Sequence, residues 1–158
     1  MRQSETIEKE QIRSIISRKF IEPGFEYWFT NHEHVRSPFP PAIRISLREK
    51  TSVIFFEWID SLKETDLKAM KEEEFLEMFE TILFNEAMKL FDDEDQQLTI
   101  SYPFLPRMGD LVDHKINGIG KIIGRREIVS KENRKQFELS VSSQETGITW
   151  KTQFDLQD

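Results

Sequence analysis

The 158-residue chain has no cysteine, six glycines, six prolines and three histidines, and its longest uninterrupted apolar run is Val53-Ile54-Phe55-Phe56. Each shortage excludes something. Without cysteine there is no disulfide framework, no thiolate metal site and no cysteine nucleophile, and a reducing compartment such as the cytoplasm is the expected setting. Four apolar residues fall far short of the ~20 that cross a bilayer. The first residues, Met1-Arg2-Gln3-Ser4-Glu5, lead into a charged amphipathic stretch without the apolar centre of a signal peptide. No membrane partner is expected. The chain also lacks a Gly-x-Ser-x-Gly elbow, a phosphate-binding Gly-x-x-x-x-Gly-Lys loop and a His-Glu-x-x-His pair. Asp92-Asp93-Glu94-Asp95 fails as a calcium loop, because Gln97 stands where glycine is required and Pro103 where glutamate is. Neither a catalytic residue nor a cofactor is expected.

Aromatics and acids are plentiful: 13 Phe, 3 Trp and 2 Tyr supply a core, and 32% charged residues keep the surface wet. The net charge of −7 is uneven. Residues 1–106 carry 13 Lys and Arg against 21 Asp and Glu, whereas residues 107–158 carry 9 against 8. A polyanion is repelled by the first part and scarcely attracted by the second.

Hydrophobic periodicity divides the chain near residue 96 into an acidic α+β region, 1–96, and a β-barrel, 97–158. Ser4 as N-cap and Ile12, Ile15, Ile16 and Phe20 at helical spacing predict a helix over 5–20, ended by Pro23-Gly24. Ile43, Ile45 and Leu47 alternate with polar residues and predict a strand, and Val53 to Phe56 favour a second one over 52–59, where Phe55, Trp58, Ile59 and Leu62 would also make a helical stripe. Leu67, Met70, Phe75, Met78, Phe79, Ile82, Leu83, Ala87 and Leu90 predict one long helix over 66–91, capped by Thr65, with Glu72, Glu73, Glu77, Glu80 and Glu86 facing water. Beyond it the period becomes two. Leu98 to Phe104, 110–116, 119–129, Phe137 to Val141 and Ile148 to Leu156 read as five short strands, with Asn117-Gly118 as a hairpin turn. The expected fold is α+β, with N-terminal helices packed on a short sheet and a small C-terminal barrel.

Several residue groups are candidates for binding. The acidic helix face, through Glu73, Glu77 and Glu80, and the aromatic Trp28 and Phe39 are candidates for contact with a partner protein, although aromatics as dense as Phe25 to Phe29 more often fill a core. Lys121, Arg125, Arg126, Lys131, Arg134 and Lys135, interrupted by Glu127 and Glu132, form the one basic patch suited to nucleic acid, the weaker alternative, with the first three as its candidate contacts. His32 and His34, two apart, could direct both imidazoles to one side, but a third ligand is lacking, so no metal is expected; a metal-dependent enzyme centred on them is the remaining alternative.

The segment from Gly109 to Ile123 resembles the opening hairpin of small SH3-like, Tudor-type barrels, such as the module at the C-terminus of UvrD-type helicases. That pattern runs Gly-Asp-x-Val-x-His and then Phe-Gly-x-Gly-x-Val; Gly109, Asp110, Val112, His114, Gly118, Gly120 and Ile122 match it, and Asn117 replaces the phenylalanine. The resemblance implies a docking module for a protein or nucleic acid, without catalytic residues. Together these readings favour a non-catalytic interaction or scaffolding protein of a cytoplasmic assembly.

Overall fold

Leu47, Thr51, Phe55 and Ile59 are all buried, and a step of four marks one face of a helix. The computed structural model describes residues 2–33 and 35–156, with side chains from residue 9 onward, and makes this segment the helix Arg44–Ser61. Both strands expected over 43–59 are therefore overturned, and with them the short N-terminal sheet. Alternation had paired the wrong residues: Ile45 is 77% and Val53 57% exposed, while polar Thr51 is fully buried.

The chain divides into two compact units, Met1–Asp92 and Asp93–Asp158. The first has helices and no strand among its described residues: α1 (Arg2–Ile16), a π-helical turn (Ser17–Ile21), α2 (Glu22–Phe29), a 3-10 turn (Pro41–Ile43), α3 (Arg44–Ser61), α4 (Glu64–Ala69) and α5 (Glu72–Lys89). Ser4 lies within α1 and Thr65 within α4, so neither is a cap. Pro23-Gly24 does not end the helical path. The turn before it is π-wound, Glu22 N–H donating to Ser17 O, and α2 follows it directly with Pro23 as its second residue. The helix expected over 66–91 is two helices. Met70 and Lys71 are extended between them, and α5 starts where the Glu74 carboxylate accepts the Lys71 N–H at 3.2 Å.

Aromatic rings hold this unit together. Phe79 is fully buried on α5, with Phe25 edge-on at 5.1 Å and Phe55 at 5.8 Å between ring centroids. Phe20 stacks on Phe75 at 5.2 Å. Guanidinium groups close the margins, Arg48 over Phe25 and Arg44 over Phe29. Gly24 is buried because α2 meets α5 there, and a Cβ at that position would overlap the Phe79 ring.

In the second unit, α6 (Glu94–Ser101) replaces the first expected strand. Asp93 caps it by accepting the Asp95 N–H at 3.3 Å, and Glu94 and Asp95 suit the positive end of the helix dipole. The acidic run that follows the expected helix over 66–91 is the entrance to the next helix. Alternation over 98–104 misled because Leu98, Thr99 and Ile100 are all buried, while Phe104 is 71% exposed.

Four strands follow, β1 (Leu111–His114), β2 (Gly118–Val129), β3 (Lys135–Ser143) and β4 (Thr149–Asp155), as an antiparallel meander in the order β1-β2-β3-β4. The sheet curls into a half-barrel of four strands, one fewer than expected. Its inner face carries Ile122, Phe137, Leu139 and Val141, which pack with Leu98 of α6. Val112, Trp150, Phe154 and Leu156 flank that cluster. A register shift between Ile122 and Gly124 bends β2. The chain is thus α+β, and among its described residues no helix is long and apolar enough to cross a membrane.

Gly24→Ala should lower stability by about 1–3 kcal/mol, the usual cost of overpacking a filled core. Thermal unfolding of the purified variant checks this, and an unchanged Tm would rule out the tight meeting of α2 and α5.

Candidate functional site

The residues that carry the hairpin resemblance have identifiable work within the second unit. Asp110 Oδ2 accepts the Arg107 N–H at 2.8 Å, and Gly109, at φ 85°, donates its N–H to Ile122 O at 2.9 Å. His114 Nδ1 accepts the backbone N–H groups of Ile116 and Asn117, both at 3.2 Å, and so ties the turn to β1. Of the Asn117-Gly118 pair only Gly118, at φ 73°, enters the left-handed region. Gly120 serves packing: a Cβ there would lie 2.5 Å from Trp150 Cη2. The indole rests on the bare backbone of β2 and reaches the His114 ring at 5.6 Å.

Arg125 ties α6 to the sheet. Its side chain is 1% exposed, and its guanidinium donates to Asp95 Oδ1 (2.6 Å), Asp95 O (2.7 Å), Pro106 O (3.0 Å) and Thr99 Oγ1. A planar fork can meet acceptors from helix and loop at once, which an ammonium cannot. With α6 held there, the inner face of the sheet is covered.

The outer face is different. Burial alternates along β1 and β2 so that Leu111 and Asp113, then Ile119, Lys121 and Ile123, point away from the core. Leu111 is 60% exposed, Ile119 52% and Ile123 48%. Lys121 stands between the two isoleucines on β2 and opposite Leu111 on β1, and Asp113 stands opposite Ile119. The register places Ser142 across from Lys121 on β3, so only a small side chain borders the lysine on that side. Ile116 in the turn and Ile148 before β4 are exposed as well. Aliphatic exposure clustered in this way differs from single exposed leucines and makes the hairpin face a candidate contact surface. The alternation of β2 contains this signal, but β1 had to be aligned with β2 before Leu111 joined the group.

Trp28 and Phe39 fall in the core of the first unit. Phe39 is fully buried, and the two rings enclose Phe84 at 5.1 Å from Phe39 and 4.8 Å from Trp28; neither offers a surface. Glu73 and Glu77 are exposed on α5 and Glu80 is half-buried. Glu86 is not on that solvated face, being buried and paired with Lys89 at 2.7 Å. The basic patch is mostly engaged: Arg125 is buried as described, Arg126 pairs with Glu138 at 2.8 Å, Arg134 lies 3.4 Å from Glu132 and Lys135 3.8 Å from Glu127, leaving Lys121 on the outer face and Lys131 exposed in the β2–β3 loop. His32 Nε2 lies 2.9 Å from Tyr27 O, with its ring stacked on Tyr27 at 4.4 Å; His34 lies outside the described residues. Among the described residues no three His, Asp or Glu side chains are gathered as metal ligands.

Glu138 is the notable carboxylate of the sheet. It is buried on β3, and hydrogen bonds from Arg126 and from Gln153 (2.7 Å) hold its carboxyl below the usual carboxylate range against the opposing effect of burial, with Lys151 adding to the lowering. Compared with protein-family models, with curated proteins and with solved structures, the chain has no match.

Two outcomes follow from this geometry. Arg125→Met should cost about 3 kcal/mol, near the lower end for breaking a buried pair because Asp95 keeps some contact with water. Hydrogen exchange should then show α6 opening ahead of β2 and β3, and equal protection throughout would contradict the tie. A folded-state pKa below the unfolded one means that Glu138 stabilises the fold above about pH 4.3, and that this contribution is lost as acid carries the pH down through the folded value. The Tm advantage of the native chain over Glu138→Gln should therefore be present at about pH 6 and shrink below about pH 4; a difference that stays constant with pH would exclude it.

Proposed function

We propose that the chain is a non-catalytic interaction protein that docks a partner protein on the outer face of the β1–β2 hairpin. The observation that carries this reading is the exposed aliphatic group Leu111, Ile119 and Ile123 around Lys121. Covering such a group releases ordered water at roughly 25 cal/mol per Å² of apolar area, the dominant favourable term in protein association. In this reading the β-unit belongs with the SH3-like docking modules that its hairpin resembles, and it works in a reducing compartment such as the cytoplasm. Glu73, Glu77 and Glu80 of α5 offer a second, electrostatic contact whose main effect is on association rate.

Nucleic-acid binding has less support. Arg125 and Arg126 are engaged within the sheet unit, so Lys121 is the one residue of the three left for phosphate. The acidic excess of residues 1–106 opposes a polyanion besides.

A photo-crosslinking amino acid in place of Ile119, introduced into the full chain in the cells that express it, tests the reading. A discrete protein adduct of defined mass is expected, lost when Leu111→Lys is added and absent when the crosslinker replaces Lys131 in the β2–β3 loop. No adduct at Ile119, or the same products from both positions, would count against it. So would binding of duplex DNA tighter than about 1 μM at physiological salt, beyond the range of typical non-specific affinity.

A further inference from the structure

On the reading that the hairpin face docks a protein, the chemistry of that face selects its occupant. Ile119 and Ile123 are four residues apart on one strand, a separation of at most about 13 Å at 3.3 Å per residue, since the register shift between Ile122 and Gly124 bends the strand at Ile123. Lys121 lies midway, and Leu111 widens the group toward β1. Asp113 is the one carboxylate on this face of β1 and the first half of β2; it stands opposite Ile119, and among the described residues Lys121 has no ion-pair partner. An ammonium ringed by aliphatic side chains loses water when the face is covered, so a partner that is only apolar would leave a desolvated charge without compensation.

The complement is therefore an aliphatic residue, a carboxylate and a second aliphatic residue in line over about 13 Å. A helix presents such a set at i, i+4 and i+8, which share one side and span about 12 Å at 1.5 Å rise per residue. The chain itself carries one. On α3, Ile45, Glu49 and Val53 follow at steps of four and are all exposed. They lie on the side of the helix turned from Leu47, Thr51, Phe55 and Ile59, which the core takes up. Like Lys121, Glu49 has no ion-pair partner among the described residues.

We infer that the docked protein is a second copy of this chain, whose α3 lays Ile45, Glu49 and Val53 against Ile119, Lys121 and Ile123 of the first. Spacing and charge agree at all three places. On α5 the same steps lead from Leu76 and Glu80 to Phe84, which is half-buried among the core rings, so that helix does not offer the pattern. A nucleic acid supplies anions but nothing to cover the isoleucines. Each copy bears both surfaces, so each can give and receive the contact.

Sedimentation velocity on the full chain over a range of concentrations tests this. The native chain should shift from monomer to a larger species as concentration rises. Lys121→Glu and Glu49→Lys should each weaken that association at least about tenfold, a range expected for one close charge pair at an interface. Combining the two reversals should restore it, a rescue that a merely misfolded variant would not give. A native chain that stays monomeric up to about 100 μM, weaker than the μM-to-nM range of most specific complexes, would overturn the inference. So would assembly that survives both single reversals, or a double variant no better than the singles. The Ile119 crosslink separates the two levels of the reading. An adduct of twice the chain's mass, with the link mapped to α3, is the result expected here; an adduct with a different protein sinks the second copy and leaves the docking reading standing, whereas no adduct sinks both.

Discussion

The second unit depends on one buried guanidinium. Arg125 gathers the side chain and carbonyl of Asp95, the Thr99 hydroxyl and the Pro106 carbonyl around a strand of the sheet. Four strands curled halfway round leave an apolar inner face that cannot stay in water, and α6 supplies Leu98 to cover it. The helix is short and polar at its start, so packing of one leucine is a weak hold. The charged fork adds direction to that hold, fixing both the helix and the loop that follows it. Once the inner face is covered, the outer face of β1 and β2 still shows Leu111, Ile119 and Ile123 to solvent.

The first unit is organised by rings in place of charge. Phe25, Phe55 and Phe79 meet at its centre, and the absence of a side chain at Gly24 lets α2 come close to α5. The cost of such density is that aromatic residues which read as a recognition surface, Trp28 and Phe39 among them, are consumed by the core. Large rings bury 150–250 Å² each, by order of magnitude, and a chain of this length with 18 of them has few other places to put them. The aliphatic residues Ile45 and Val53 are left outside as a result, on the far side of α3 from those rings.

Much of the fold and part of the site could be read in advance. The stripe through Phe75, Phe79, Ile82, Leu83 and Ala87 is the buried face of α5, because eighteen residues of one period leave little ambiguity. The alternation through Phe137, Leu139 and Val141 is the buried face of β3 for the same reason. Shorter stretches failed. Ile43, Ile45 and Leu47 satisfy a strand by chance, since three residues at a step of two cannot exclude a helix whose remaining face is completed by Thr51. Asp93 is legible as a cap, an aspartate directly before a helix whose first residues are acidic.

Composition and long-range period by themselves determined the exclusion of thiol chemistry, the acidic first part, the α+β class and the presence of a glycine-shaped hairpin, because these depend on residue type and on neighbours close in the chain. Tertiary structure alone decided which charges and rings reach the surface. Arg125 and Arg126 are adjacent and alike in sequence, yet one is buried against a helix some 30 residues earlier in the chain and the other lies on the opposite side of the strand, paired with Glu138. Leu111 and Ile119 become neighbours only when β1 folds back on β2. Local sequence cannot encode either outcome, because burial is a property of what packs against a residue, and those partners are brought in by the fold.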